Sequence, residues 1–136
     1  MGAWSHEPFG NDTACDWAYE LENQSDLGYI EATIDRALSE GEEYLEAPEG
    51  EEGIAAVEVI AQALGKGTQN DSYTESTLEW VLKVKPVITD ELRAKALKFL
   101  EVVASENSEL LELWCEDGDD SPWLATIESL KTAVSI

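Results

Sequence analysis

Seven glutamates and no base fall between positions 40 and 52: Glu40, Glu42, Glu43, Glu46, Glu49, Glu51 and Glu52. Carboxylates at this density have two uses. They can draw in a basic protein surface by charge steering, or, paired in a cleft, they can move protons. Steering is the better reading here. With 30 acids in the chain, close carboxylate pairs arise by chance and their spacing locates no active site. Gly41, Pro48, Gly50 and Gly53 interrupt the same stretch and predict an exposed segment between two helices, shaped by turns.

Other chemistry-bearing residues are sparse. His6 is the single histidine, and neither a His-Glu-x-x-His nor a Cys-x-x-Cys pair exists, so no ordinary zinc site, other metal site or cofactor is expected. Ser5-His6-Glu7 contains the residue types of a catalytic triad. Sequence neighbours rarely meet in the geometry that nucleophilic catalysis needs, which leaves His6 a local structural role. Asp117-Gly118-Asp119-Asp120-Ser121, with Glu128 at the twelfth place, resembles a calcium loop but fails at its hinge. Pro122 stands where glycine makes the sharp turn. No glycine-rich phosphate loop is present. Cys15 and Cys115 lie in expected helices beside Trp17 and Trp114, as buried, inert thiols would.

The elements that must position these residues are helical. Between Gly53 and Gly65 only Glu58 and Gln62 are polar, and a helix stacks residues four apart into one narrow stripe. Every other face is apolar, so Ile54 to Leu64 is expected to be the central helix, surrounded by others. It is too short to span a bilayer, which takes roughly 20 residues. Asn11 or Asp12 caps a helix carrying Ala14, Trp17, Ala18 and Leu21. Ser25 or Asp26 opens a second, which Pro48 stops.

Ser76 and Glu79 form a capping-box pattern for a helix ending at Pro86, although residues 78–85 also partly fit strand alternation. Thr89 or Asp90 caps the clearest amphipathic helix, with Leu92, Ala96, Phe99, Leu100 and Val103 inward. A short helix runs through Leu110, Leu111 and Trp114, and Pro122 starts the last. The expectation is one all-α domain over residues 1–136, with about seven helices and a monomeric state.

Charge sets limits on partners. A net charge of -22 argues against direct nucleic acid binding and against an anionic membrane, and leaves a basic protein partner as the natural complement. Residues 1–65 hold 16 acids and one base, residues 66–98 five acids and six bases, residues 99–136 nine acids and one base. The middle is expected to neutralise part of the remainder. Met1 to Asn11 is short, polar and interrupted by Pro8, unlike a secretory leader, so a cytoplasmic location is expected.

Three blocks resemble a known bacterial family, grouped as domain of unknown function 4259. The first is Met1-Gly2-Ala3-Trp4 with Phe9, Asn11-Asp12, Ala14 and Asp16-Trp17. The second is Tyr44-Leu45-Glu46-Ala47-Pro48-Glu49 with the Ala-rich helix through Leu64. The third is Ser108-Glu109-Leu110-Leu111-Glu112-Leu113-Trp114 followed by Trp123. The loop from Gly67 to Glu79 departs, with Tyr73-Thr74-Glu75 in place of Tyr-Gly-Pro. The resemblance implies a bacterial cytoplasmic protein and transfers no activity, substrate or catalytic residue. Function is therefore expected from charge: an acidic, non-enzymatic interaction module of the immunity or antitoxin kind. The alternative is a small carboxylate- or divalent-metal-dependent enzyme.

Trp4 and Phe9 have no helical period around them, and groups of that size are kept where they dock. Together they would bury a few hundred Å² on the scale of aromatic side chains, in a domain of only about 5–15 kcal/mol total stability. Deleting Met1 to Gly10 is therefore expected to lower the thermal midpoint by several degrees. A calorimetric scan that does not move would show that the block is not part of the fold.

Overall fold

Asn11 ends the irregular segment of residues 5–10 by accepting a hydrogen bond from Ala14 N on its side chain, 2.7 Å away, which satisfies one of the unpaired amides at a helix start. The computed structural model describes residues 5–115 and 122–135. From that cap the chain runs α1 (Asp12–Leu21), α2 (Gly28–Glu40), α3 (Ala47–Ala63), a 3₁₀ turn (Ser72–Thr74), α4 (Glu75–Val84), α5 (Asp90–Val103), α6 (Glu109–Trp114) and α7 (Pro122–Val134). The fold is all-α. No strand occurs among the described residues, only isolated bridge positions at Asn11, Leu45 and Ser108, of which Leu45 and Ser108 pair in parallel. No described helix is long and apolar enough to cross a membrane.

The apolar stretch is indeed the centre, and it is longer than its flanking glycines imply. α3 touches all six other helices. Ile54, Ala55, Ala56, Val57, Val59, Ile60 and Ala61 are all buried in a single cluster with Phe9, Trp17, Phe99 and Leu130. Pro48 opens this helix instead of stopping α2. A proline in the first turn lacks only an N–H that would have been unpaired anyway, and its fixed φ suits the helix. α2 ends earlier, at Gly41. Gly50 and Gly53 are thus not turn residues. Both lie inside α3 and are buried, and they mark where neighbouring helices come closest: a Cβ on Gly53 would stand 2.3 Å from Phe99 Cζ, and one on Gly50 2.8 Å from Leu110 Cδ1.

Several helix boundaries differ from sequence expectation for local reasons. Asp26 accepts from Gly28 N at 2.9 Å, but the residue before α2 is Leu27, which offers no side-chain cap. The Ser76/Glu79 pattern does not cap α4. The reciprocal capping box is made one turn earlier, between Asp71 and Thr74 around the 3₁₀ turn. Residues 78–84 are helical, and Lys85 closes α4 in the left-handed conformation at φ 52° before Pro86. Thr89 caps α5 and Ser108 caps α6 through their side chains.

The opening block is docked through residues that can be described: Phe9 is fully buried, and its N–H donates to Gln69 Oε1 at 2.8 Å. Trp4 lies outside the described residues. One ion pair joins the base-richer middle to the first part of the chain, Lys95 to Asp35 at 3.1 Å. Arg93 instead donates to the carbonyls of Val134 and Ser135.

Since Phe99 is fully buried and its ring has nowhere to retreat, Gly53→Ala should destabilise the protein. The overpacking cost of about 2–3 kcal/mol exceeds the roughly 1 kcal/mol that alanine gains over glycine in a helix. Chemical denaturation should show a lower midpoint, partly restored by adding Phe99→Leu. A midpoint raised by Gly53→Ala alone would contradict the close approach of α3 and α5.

Candidate interaction surface

The seven sequence-predicted glutamates do not form one exposed loop. Glu40 is the last residue of α2, Glu42 and Glu43 occupy the turn after it, and Glu46 precedes α3, which carries Glu49, Glu51 and Glu52 in its first turns. Glu42, Glu43 and Glu46 are exposed, while Glu40, Glu49, Glu51 and Glu52 are half-buried. Glu52 pairs with Arg36 at 3.4 Å, and Glu51 takes a hydrogen bond from Thr13 of α1. Both are engaged within the fold. Treating 40–52 as a uniform acidic face therefore overstates it.

Tertiary structure supplies other acids in their place. Leu45 N donates to Asn107 O at 2.7 Å and Glu109 N to Leu45 O at 2.9 Å, which lays the α2–α3 connection beside the start of α6. Glu109 then accepts from Ala47 N at 2.7 Å, capping α3 from a distance, and Glu112 accepts from Tyr44 Oη at 3.0 Å. Glu106 and Glu112 are exposed on this side, as are Tyr44 and Leu113. The result is a face with Glu42, Glu43, Glu46, Glu106 and Glu112 around two large apolar groups. No signal in the local sequence pattern marks Glu106, Glu109 or Glu112 as part of it, because the bridge that brings them is a single residue pair.

At the edge of this face the carboxylate oxygens of Glu40, Glu46 and Glu49 all lie within 4.8 Å of one another, the one trio of possible metal-ligand residues that close among the described residues. Glu40 Oε1 also accepts from Glu46 N at 3.1 Å. Burial, and then the neighbouring Glu40, Glu46 and Glu52, raise the Glu49 carboxyl above its usual value, against a lowering hydrogen bond to its own backbone.

The remaining sequence candidates are scattered. His6 Nδ1 sits 2.8 Å from Thr126 Oγ1 of α7, while Ser5 Oγ accepts from Glu7 N, so Ser5-His6-Glu7 forms no triad. His6, Glu7, Thr126 and Ser129 line a cleft of about 250 Å³. Cys15 and Cys115 are free and half-buried. The acidic turn from Glu116 to Ser121 lies outside the described residues.

Among the described residues, the most heavily bonded carboxylate is one that sequence treated as part of a polar stripe. Glu58 is fully buried in the middle of α3. Its two oxygens accept from Thr68 N, Thr68 Oγ1 and Gln69 N at 2.7–3.1 Å. Gln69 in turn accepts from Phe9 N and donates to Asp71, the cap of the 3₁₀ turn. One buried side chain thereby ties the loop after α3 to both the N-terminal block and α4.

Comparison with known proteins bears on identity at this point. The family model for the domain of unknown function DUF4259 matches residues 2–126. The chain belongs to that family. No curated protein and no solved structure matches it. The match covers the buried Glu58 hub and the acidic face of this DUF4259 protein alike, and names no activity for either.

Glu49, Glu51 and Glu58 all have carboxyls raised above the usual value of 4.5, burial being the first cause in each case. The folded state therefore binds more protons than the unfolded chain from about 4.5 upward. The stability tied to those protons is complete below that value and is lost as pH rises through the raised values. The DUF4259 protein should melt at a higher temperature near about pH 5 than near pH 8, and Glu58→Gln should flatten part of that slope. Glu58→Ala, which leaves the buried Gln69 N–H without an acceptor, should cost about 2–4 kcal/mol. A melting temperature that climbs with pH would contradict this assignment.

Proposed function

We propose that this DUF4259 protein is a monomeric, acidic, non-enzymatic interaction module that covers a basic surface on another protein. One observation carries the proposal: Leu45 and Ser108 pair, so exposed glutamates from two distant parts of the chain share a face with exposed Tyr44 and Leu113. Carboxylates around an aromatic and an aliphatic anchor match what a basic partner needs. The charges steer encounter and orient it, while the anchors supply contact area that charge alone does not. A net charge of -22 extends the steering field beyond the face itself. A partner that binds nucleic acid is the natural class, since carboxylates can occupy the places of phosphates.

Replacing Glu42, Glu43, Glu46 and Glu106 with Gln should slow association with a basic partner recovered by affinity capture from the native host, and leave dissociation nearly unchanged. The difference should shrink as salt rises to physiological strength, where the screening length is about 8 Å. Leu113→Ser should act the other way, speeding dissociation without altering the salt dependence. Association rates indifferent to both the substitutions and the salt would remove this face from the interface.

A further inference from the structure

A second groove lies between α1 and the 3₁₀ turn with α4. Tyr19 and Tyr73 line it, and both are unusually open for large aromatic residues, at 70% and 49% exposure. Ala18, Glu22, Ser72 and Ser76 complete most of the lining, and no lysine or arginine takes part. We infer that this groove receives a guanidinium group, the side chain of an arginine presented by a basic protein partner. The inference rests on the partner being basic, as proposed above, and adds the chemical group that is read.

Four features of the groove favour that occupant. Its volume of about 280 Å³ suits a single extended side chain, at or just below the range of small-molecule pockets. The exposed Tyr19 ring offers a negative π-face, which attracts a cation and stacks on a flat guanidinium better than on a compact ammonium. Glu22 places a carboxylate in the lining, and the hydroxyls of Ser72 and Ser76 add oxygens that accept from guanidinium N–H. The potential inside is negative: after burial, the charges of Asp12, Asp16 and Asp71 raise the pKa of the Cys15 thiol, which also lines the groove.

The capped tripeptide acetyl-Gly-Arg-Gly-amide, titrated into the ¹⁵N-labelled full chain, tests this by NMR, with lysine and neutral citrulline versions alongside. Saturating amide shifts should centre on Ala18, Tyr19, Glu22, Ser72 and Ser76, weaker for lysine and absent for citrulline. Tyr19→Ser leaves net charge untouched, and the side chain is too exposed to matter to folding. It should nevertheless weaken binding about two- to fivefold, the change an exposed cation–π contact supports. Glu22→Gln should weaken it as well. Shifts that scatter over all acidic surfaces, an affinity indifferent to Tyr19→Ser, or no saturation at the groove up to about 10 mM peptide would each overturn the inference. The two proposals fail separately. The Glu42/Glu43/Glu46/Glu106 substitutions should leave tripeptide binding in the groove intact, so slowed partner association with a silent groove, or the reverse, shows which one is wrong.

Discussion

Burial of residues 53–61 of α3 is the constraint from which the rest of the structure follows. A helix segment apolar around nearly its whole circumference can hide its surface only if other helices enclose it, and α3 contacts all six. Close packing then depends on small residues where the neighbours cross. Gly53 admits the ring of Phe99 and Gly50 admits Leu110, while Ala55, Ala56 and Ala61, all buried, lie further along the helix, which also packs against α1, α2 and α7. The helix-propensity cost of two glycines is accepted because the contact they allow removes a whole aromatic ring and a leucine from water.

Into this apolar centre the chain places one carboxylate. An isolated charge there would be untenable, and Glu58 is tolerated because three donors from a single loop converge on it. The arrangement has a structural consequence beyond charge. The loop leaves α3 through hydrogen bonds from Gly65 N to Gln62 O and from Lys66 N to Ala61 O, and beyond them Glu58 anchors it through Thr68 and Gln69. Through Gln69 that anchor reaches Phe9 and through Asp71 the start of α4, so the N-terminal block and α4 are held by one connected polar network at the edge of the core.

Acidity is distributed in keeping with this division. Acids that the fold needs are turned inward or paired: Glu58 to its loop, Glu51 to Thr13, Glu52 to Arg36, Glu109 to the start of α3. Acids that the fold does not need remain outside, with Tyr44 and Leu113 near one group and Tyr19 and Tyr73 near another.

The sequence by itself determined the class of fold and most of its elements, because helix periodicity and capping are local. Asn11 and Thr89 are each one of the two neighbouring residues that spacing to the next apolar positions offers as a cap, and the stripe from Leu92 to Val103 faces inward as its period requires. The helix at residues 75–84 also follows from i, i+3, i+4 spacing once the partial strand alternation is set aside. Only tertiary structure decided the meaning of Gly50 and Gly53, since a glycine that breaks a helix and one that admits a neighbour look identical without that neighbour. The same holds for the acids. Glu58 stands in an apolar run and Glu42 among other acids, but no window of a few residues shows that Thr68 and Gln69 supply the donors to Glu58, and the bridge between Leu45 and Ser108 joins positions far apart through one residue pair that no periodicity reports. Composition fixed that the surface would be negative; which carboxylates face solvent together was fixed by how the helices pack around α3.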